Sequence, residues 1–270
     1  MQKNNNQKKI IAVINQKGGV GKTTTVINLA SSLSILGQKI LIIDLDPQGN
    51  ATTGLGKSNN DEDKNIYNLL IKKINLNDAI QQTTIKNLNI IGSHVNLSGL
   101  EVETANDSGR AFTLKKLLDE NKENVLGKYD NIFIDCPPSL SLLTIMALVA
   151  SDELLVPLQT EFFALEGITQ LVKTIDRIKD NLNPELKVNG ILLTMFDKRN
   201  KLSTQVDKEA RNYFKEKVFK TVIPRNVRLS EAPSHGLPCV IYDKTCLGSK
   251  SYNKLAEEFL EKNHNVESAA

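Results

Sequence analysis

The sequence has no tryptophan, few aromatic residues of any kind (5%), and only three cysteines and three histidines in 270 residues. With Phe and Tyr so scarce, a core must be built from Ile, Leu and Val. Cys136, Cys239 and Cys246 lack metal-ligand spacing, and His94, His235 and His264 lie far apart, so neither a metal-ligand set nor a cysteine-held cluster is expected. An odd, low cysteine count points to a reducing compartment. No stretch approaches the ~18 apolar residues of a membrane-spanning helix. Met1–Lys9 is polar and lacks the apolar segment of a secretory signal. The expectation is a cytoplasmic globular protein. Its hydrophobic content of 40% and charged content of 24% are ordinary for that class, and the length suits one large α/β domain.

What the sequence does contain is a phosphate-binding loop. Residues 14–25 read Ile-Asn-Gln-Lys-Gly-Gly-Val-Gly-Lys-Thr-Thr-Thr. The apolar run Ile10–Ile14 precedes them and a helical pattern from Val26 follows, which is the strand–loop–helix context the motif requires. Gly18, Gly19 and Gly21 let backbone N–H groups, Val20 among them, converge on phosphate oxygens. The helix N-terminus at Lys22–Thr24 adds partial positive charge. Lys22 would reach the β/γ-phosphates and Thr23 would offer its hydroxyl to Mg²⁺. One detail departs from the common motif: position 16 is Gln rather than Gly, and a second lysine, Lys17, stands before the glycine pair.

Two further apolar runs end in aspartate. Ile42-Ile43-Asp44-Leu45-Asp46-Pro47-Gln48-Gly49-Asn50 closes the second strand, and Ile132-Phe133-Ile134-Asp135-Cys136-Pro137-Pro138 closes a later one. Ligands bind beyond the carboxyl ends of parallel strands, so these carboxylates face a phosphate-and-metal site. Asp135 reads as a Walker B residue that holds Mg²⁺ through water. A carboxylate near the γ-phosphate can position the attacking water. Cys136 has no partner cysteine nearby and reads as a buried structural thiol.

Along the chain, strands are expected over Lys9–Ile14, Lys39–Ile43, Leu88–Ile91, Asn131–Ile134, Glu153–Pro157, Val188–Leu193 and Val218–Ile223. Helices are expected over Lys22–Leu36, Ile66–Lys73, Asn77–Gln82, Thr113–Asn121, Leu142–Ala150, Leu165–Asn181, Ser203–Lys217 and Ser249–Glu261. Residues 44–56 read as a loop. Residues 1–8 read as a disordered polar tail, residues 9–262 as one P-loop domain, and residues 263–270 as a second polar tail. Apolar strands alternating with helices predict an α/β fold: a mostly parallel twisted sheet with helices on both faces.

Together these motifs resemble the ParA/Soj family of partition ATPases, within the deviant Walker A class that also holds MinD and nitrogenase iron-protein relatives. The carriers are Lys17-Gly-Gly-Val-Gly-Lys22-Thr23, Asp44-x-Asp46-Pro-Gln-Gly, Asp135-Cys-Pro-Pro, and Ile223-Pro-Arg-Asn-Val-Arg-Leu-Ser-Glu-Ala-Pro-Ser-His-Gly236 with Tyr242-Asp243. The resemblance runs from about Lys9 to Phe259. It implies that Lys17 crosses to the nucleotide of a facing subunit, that Asp46 orients the attacking water, and that Asp44 supports the metal region. It also implies that Pro224 and Asn226 contact adenine, whose edge suits an amide. His235, a possible general base by residue type, has no such role in the family and reads as a loop residue. Two departures stand out: Asp197-Lys198-Arg199-Asn200-Lys201 replaces the Asp-Ala-Arg-Thr-Asn often found there, and Cys246 occupies a position often basic in relatives.

The net charge of +3 hides an asymmetry. Lys198–Arg228 carries ten basic residues against three acids, so that segment is +7 and the rest of the chain −4. A basic block in a near-neutral protein suggests an anionic partner. The family places DNA-binding arginines at Arg199 and Arg228, with Lys198, Lys201 and Arg225 close in sequence. The resemblance implies an ATP-dependent homodimer on non-specific double-stranded DNA, nucleoid-associated and released when a ParB/Spo0J-type protein stimulates hydrolysis. A MinD-like membrane-surface ATPase is the alternative. It needs a lipid-facing C-terminal helix, and Leu255, Phe259 and Leu260 make only a narrow stripe among glutamates. A metabolic reductase or ligase is a third reading, weakened by the absence of spaced cluster cysteines.

Overall fold

The computed structural model describes residues 8–267; the side chains of Leu165 and of residues 263–267 are not described. Seven strands form one sheet in the order β3-β4-β2-β5-β1-β6-β7. They are β1 Lys9–Val13, β2 Ile40–Asp44, β3 Ile80–Gln82, β4 Leu88–Ile91, β5 Asn131–Asp135, β6 Glu153–Gln159 and β7 Lys187–Thr194. All pairs are parallel except β3 with β4 at one edge. The longer helices are α1 Lys22–Ile35, α2 Thr113–Glu120, α3 Leu142–Ala150, α4 Ala164–Asn181, α5 Lys201–Phe214 and α6 Leu247–Glu267. The expected fold class is therefore the observed one.

Alternation along the strands explains why helices cover both faces. Ile11, Val13, Ile40, Ile42 and Phe133 pack with Val26, Leu29 and Leu33 of α1 and with Tyr252, Leu255 and Phe259 of α6. Their neighbours Ala12, Leu41, Ile43, Ile132 and Ile134 pack on the other side with Leu114 of α2, Met146 of α3 and Ile168 of α4. Successive side chains of a strand point to opposite faces, so a continuous apolar run feeds two cores at once. Asp44 and Asp135 share the parity of Ile42 and Phe133. Both carboxylates therefore face the α1 side, at the carboxyl ends of their strands.

Four expectations need correction. The segment Asn77–Gln82 is not one helix: a short turn, Leu76–Ala79, gives way to β3. Residues 44–56 are not wholly loop, because Asn50–Gly54 is helical. Val218–Ile223 runs beside β7 but makes only isolated bridges, Ile191 with Val218 and Phe196 with Pro224. Its ladder is interrupted because the Lys220 and Thr221 backbone N–H groups donate to the Glu258 carboxylate of α6, at 2.6 and 2.9 Å. α6 continues to Glu267, into the expected polar tail. The expectation for Met1–Gln7 lies outside the described residues; Lys8 is described and donates to the Lys122 carbonyl at 2.7 Å.

Candidate functional site: a phosphate loop facing three carboxylates

The phosphate loop links β1 to α1. Its last glycine, Gly21, is the N-cap of α1 with φ of 92°, a left-handed conformation that disfavours any side chain. No side chain caps the helix, and its first turn carries no acid, so the N-terminal amides remain the local electropositive feature. The loop is braced from outside. Asn15 accepts from the Lys17 N–H at 3.0 Å and donates to the Pro157 carbonyl at 2.8 Å, while the Thr194 hydroxyl donates to the Val20 carbonyl at 2.8 Å.

Lys22 is 6% exposed and its ammonium donates to the Lys17 carbonyl at 3.0 Å. Burial lowers its pKa, and the nearby charges of Asp135 and Asp46 oppose that shift. Lys17 points away from the loop and forms an ion pair with Glu161, just beyond β6. The two lysines thus stand in different environments: one is inserted beneath the loop, the other half-exposed at its rim.

β5 lies between β1 and β2, and register places Val13, Asp135 and Asp44 in one row. Asp44 is satisfied: its Oδ2 accepts from the Thr52 N–H at 2.8 Å and the Thr52 hydroxyl at 2.6 Å, and its Oδ1 from the Asp46 N–H at 3.2 Å. Burial pushes its carboxyl up to about 6, against those hydrogen bonds and with the Asp46 charge adding to the rise. Asp135 is different. It is fully buried, and neither carboxylate oxygen has a well-formed hydrogen bond to any described residue. Burial raises its pKa strongly and the Asp44 charge raises it further, with the nearby Thr23 hydroxyl and Lys22 opposing. A buried carboxylate without donors is costly. A hard cation beside Thr23 would supply what those oxygens lack, so this donor set fits Mg²⁺. Burial likewise pushes the Cys136 thiol up, consistent with an inert thiol.

Asp46 is 7% exposed at the mouth of the site, and its Oδ1 accepts from the Gln48 N–H at 3.0 Å. Ser93 and Thr52, which sequence reasoning missed, hold its segment: Ser93 donates its hydroxyl to the Asp46 carbonyl at 2.5 Å and its N–H to the Thr52 hydroxyl at 2.9 Å. These contacts span about forty residues of chain, and no local pattern marks them.

Behind the loop lies a small cavity of about 100 Å³ lined by Gly21, Thr24, Thr194, Pro224, Asn226 and Tyr252, among others. Pro224 and Asn226 are thus brought to the loop from far along the chain. The Asn226 side-chain oxygen caps the helical turn Val227–Glu231 by accepting from the Arg228 N–H at 3.0 Å.

The basic block is not one patch. Val218 sits opposite Ile191 and Pro224 opposite Phe196, so its second half is strung along the β7 edge over roughly 16 Å. Lys215 and Lys217 lie beside α4, lining a cavity with Asp176 and Lys179. Lys198, Arg199 and Lys201 gather beyond the carboxyl end of β7 with Arg225, whose guanidinium reaches the Met195 sulfur. Arg199 pairs with Asp197 at 3.0 Å, and that hydrogen bond draws the Asp197 carboxyl down to about 2. Arg228 is shared between Glu231 at 2.6 Å and Asp243 at 3.5 Å. His235 ends the 3₁₀ turn Ala232–His235 rather than lying in a loop, and its ring stacks on Tyr242.

The C-terminal stripe is core: Leu255 and Phe259 are fully buried. No helix among the described residues is long and apolar enough to cross a membrane.

Residues 8–188 match the family described as AAA domain. The chain is 49% identical over 250 residues to the sporulation initiation inhibitor protein Soj of Bacillus subtilis, covering 93% of this chain and 97% of that protein. It is 46% identical over 265 residues to the chromosome partitioning protein ParA of Caulobacter vibrioides, covering 98% of each. Among solved structures, cobyrinic acid a,c-diamide synthase from Mycobacterium smegmatis, with bound ADP and magnesium, superposes with a TM-score of 0.80 at 31% identity over 93% of both chains.

Proposed function

The chain belongs to the ParA/Soj family of chromosome-partitioning ATPases, and from that membership we propose that it is an ATP-dependent DNA-partition switch. The observation that carries the reading is the convergence of Lys22, Thr23, the fully buried Asp135 and Asp46 at the carboxyl ends of three adjacent strands. The identity to the two partition proteins exceeds that to the synthase.

ATP and Mg²⁺ are the proposed ligands. The loop amides and Lys22 hold the phosphates, Thr23 and Asp135 hold the metal, Asp135 through water, and Asp44 stays bound to Thr52 as a support. Pro224 and Asn226 take the base, and the Asn226 NH₂ is free to donate to it while the side-chain oxygen accepts the Arg228 N–H. The metal, when bound, supplies charge neutralisation at the phosphate oxygens. Asp46 orients the attacking water, its carboxylate fixed by the Gln48 N–H and its backbone by Ser93.

Lys17 leaves Glu161 and crosses to the phosphates of a second subunit. The exposed Phe162, Phe163 and Leu140 lie on the same end of the sheet and supply apolar area for that homodimer. The dimer binds double-stranded DNA through Arg199 and Arg228, with Lys198, Lys201 and Arg225, placing the protein on the nucleoid. Linking two patches raises avidity without new contacts. Hydrolysis, stimulated by a ParB/Spo0J-type protein, returns the monomer and releases DNA.

The test is DNA affinity and ATP turnover for the wild type and Asp46→Ala. The wild type should bind duplex DNA with ATP and far less with ADP. Asp46→Ala should keep ATP-dependent DNA binding while turnover falls at least about a hundredfold. Equal DNA binding in ATP and ADP, or wild-type turnover in the variant, contradicts the switch.

A further inference from the structure

Outside the nucleotide site, two of the three cysteines meet. Cys239, fully buried, opens the helical turn Cys239–Tyr242; Cys246, half-buried, immediately precedes α6. Their sulfurs are 3.4 Å apart. Cys246 is the residue before the first turn of a 21-residue helix, and its sulfur accepts the Ser249 N–H at 3.4 Å. That is the geometry of a side-chain N-cap, with sulfur where serine oxygen usually sits. Of the two sulfurs, that of Cys246 belongs to the less buried residue, so it is the one a small oxidant meets first. Ser249 ties the pair together: its hydroxyl oxygen lies 3.4 Å from each sulfur and within 2.8 and 2.6 Å of the Cys239 and Asp243 carbonyl oxygens, to one of which it donates its single proton.

We propose that Cys239 and Cys246 form a reversible, peroxide-responsive dithiol–disulfide site in which Cys246 reacts first and Cys239 resolves it. The Cys246 thiolate attacks one oxygen of a hydroperoxide; the O–O bond breaks, the sulfur becomes a sulfenic acid, and the departing hydroxide or alkoxide takes up a proton. The Cys239 sulfur then attacks the Cys246 sulfur. The S–O bond breaks, the S–S bond forms, and the Cys239 proton leaves with the hydroxyl as water. Two thiols are oxidised by two electrons and one peroxide is reduced. Burial pushes the Cys239 thiol up to about 12, so Cys239 is not the sulfur that reacts first with peroxide; its place 3.4 Å from the Cys246 sulfur is what lets it resolve. Closing the bond requires the sulfurs to approach by about 1.4 Å, within the reach of a side-chain rotation and a small shift of the turn. Cys136, buried between the core and Asp135, stays reduced.

The experiment exposes the full-length protein to stoichiometric hydrogen peroxide, quenches it, and counts thiols by maleimide mass shift after denaturation, with peptide mapping. The reduced protein should show three thiols, and the oxidised protein one, at Cys136, with a Cys239–Cys246 cross-linked peptide reversed by a phosphine. Cys239→Ser should halt at a Cys246 sulfenic acid trapped by dimedone, and Cys239→Ala repeats this arm should the buried serine unfold the chain. Cys246→Ser should keep both remaining thiols under the same exposure. Persistence of three thiols in the wild type, a disulfide between two chains, or first oxidation at Cys136 or Cys239 would overturn the proposal.

Discussion

Lys17 and Glu161 are ion-paired within a single chain, at the rim of the phosphate loop and just beyond the end of β6. The pair holds the lysine away from its own phosphate site, where the Lys22 ammonium already lies beneath the loop. A lysine so placed is available to a facing subunit only after Glu161 releases it. Its side chain is 51% exposed and that of Glu161 29%, so the pair is worth no more than about 1 kcal/mol and release is easy. Lys17→Ala should keep nucleotide binding by the monomer and lose ATP-dependent dimerisation, read by size exclusion with ATP. Glu161→Gln should dimerise at a protein concentration up to about fivefold lower, because the competing carboxylate is gone. A Lys17→Ala dimer that persists in ATP contradicts a crossing lysine.

Lys22→Ala should weaken ATP binding by about a hundredfold or more. The ammonium is the one buried cation aimed under the loop, and hydrogen bonds to charged groups are worth about 1.5–3 kcal/mol each. Titration of a fluorescent nucleotide analogue is the measurement. Wild-type affinity in the variant would remove Lys22 from the phosphate site.

The aspartate pair predicts a pH dependence. Asp44 and Asp135 both have folded pKa values above the unfolded value of 3.8, Asp44 at about 6 and Asp135 well raised. The folded protein therefore binds these protons more tightly than the unfolded chain, and stability falls as pH rises from about 4 through 6. For Asp44 the loss by neutral pH is up to about 3 kcal/mol. In nucleotide-free protein, Asp135→Asn should raise the Tm at pH 7.5 by several degrees, the order expected for one or two kcal/mol in a domain of this size. The gain should shrink toward pH 4. The same variant should lose the Mg²⁺ dependence of nucleotide binding. A variant less stable than wild type at pH 7.5, with an unchanged pH profile, would show that the Asp135 charge is already compensated without a metal.

The expected residues of this site were legible because each sits where an apolar strand meets its first polar residues. Asp44 and Asp135 end runs of buried Ile and Phe, and Lys22 follows glycines after such a run. The face they point to became clear only in the folded sheet, where strand parity puts both carboxylates on the α1 side. The supporting contacts were not legible. Ser93 and Thr52 meet across two strand ends, and Glu161 meets Lys17 across the β1–β6 pairing. The misread elements have the same cause. Val218–Ile223 has a strand's composition, but Glu258, distant in sequence, takes two of its N–H groups. β3 has three residues, too few for a period to show. Cys239 and Cys246 likewise have no motif spacing, and only the turn between them brings their sulfurs together.

The proposed DNA contacts carry a final prediction. Arg199 and Arg228 are exposed, yet each is held by carboxylates of its own chain, Arg199 by Asp197 and Arg228 by Glu231 and Asp243. DNA phosphates must compete with these partners, so the surface is less positive than its count of basic residues implies. Arg199→Glu with Arg228→Glu should abolish ATP-dependent binding to duplexes of any sequence while leaving ATP binding and dimerisation intact. The single variants Arg199→Ala and Arg228→Ala should each flatten the salt dependence, by roughly 0.9 in log–log slope for every phosphate the protein no longer neutralises. Asp197→Asn should act in the opposite direction and strengthen binding several-fold at low salt, since it frees Arg199 and removes a repelling charge. DNA affinity measured with ATP at several salt concentrations reads all of these at once. A double variant that binds with an unchanged slope would move the DNA surface away from the carboxyl end of β7, and Lys208, Arg211, Lys215 and Lys217 would then be the next residues to neutralise.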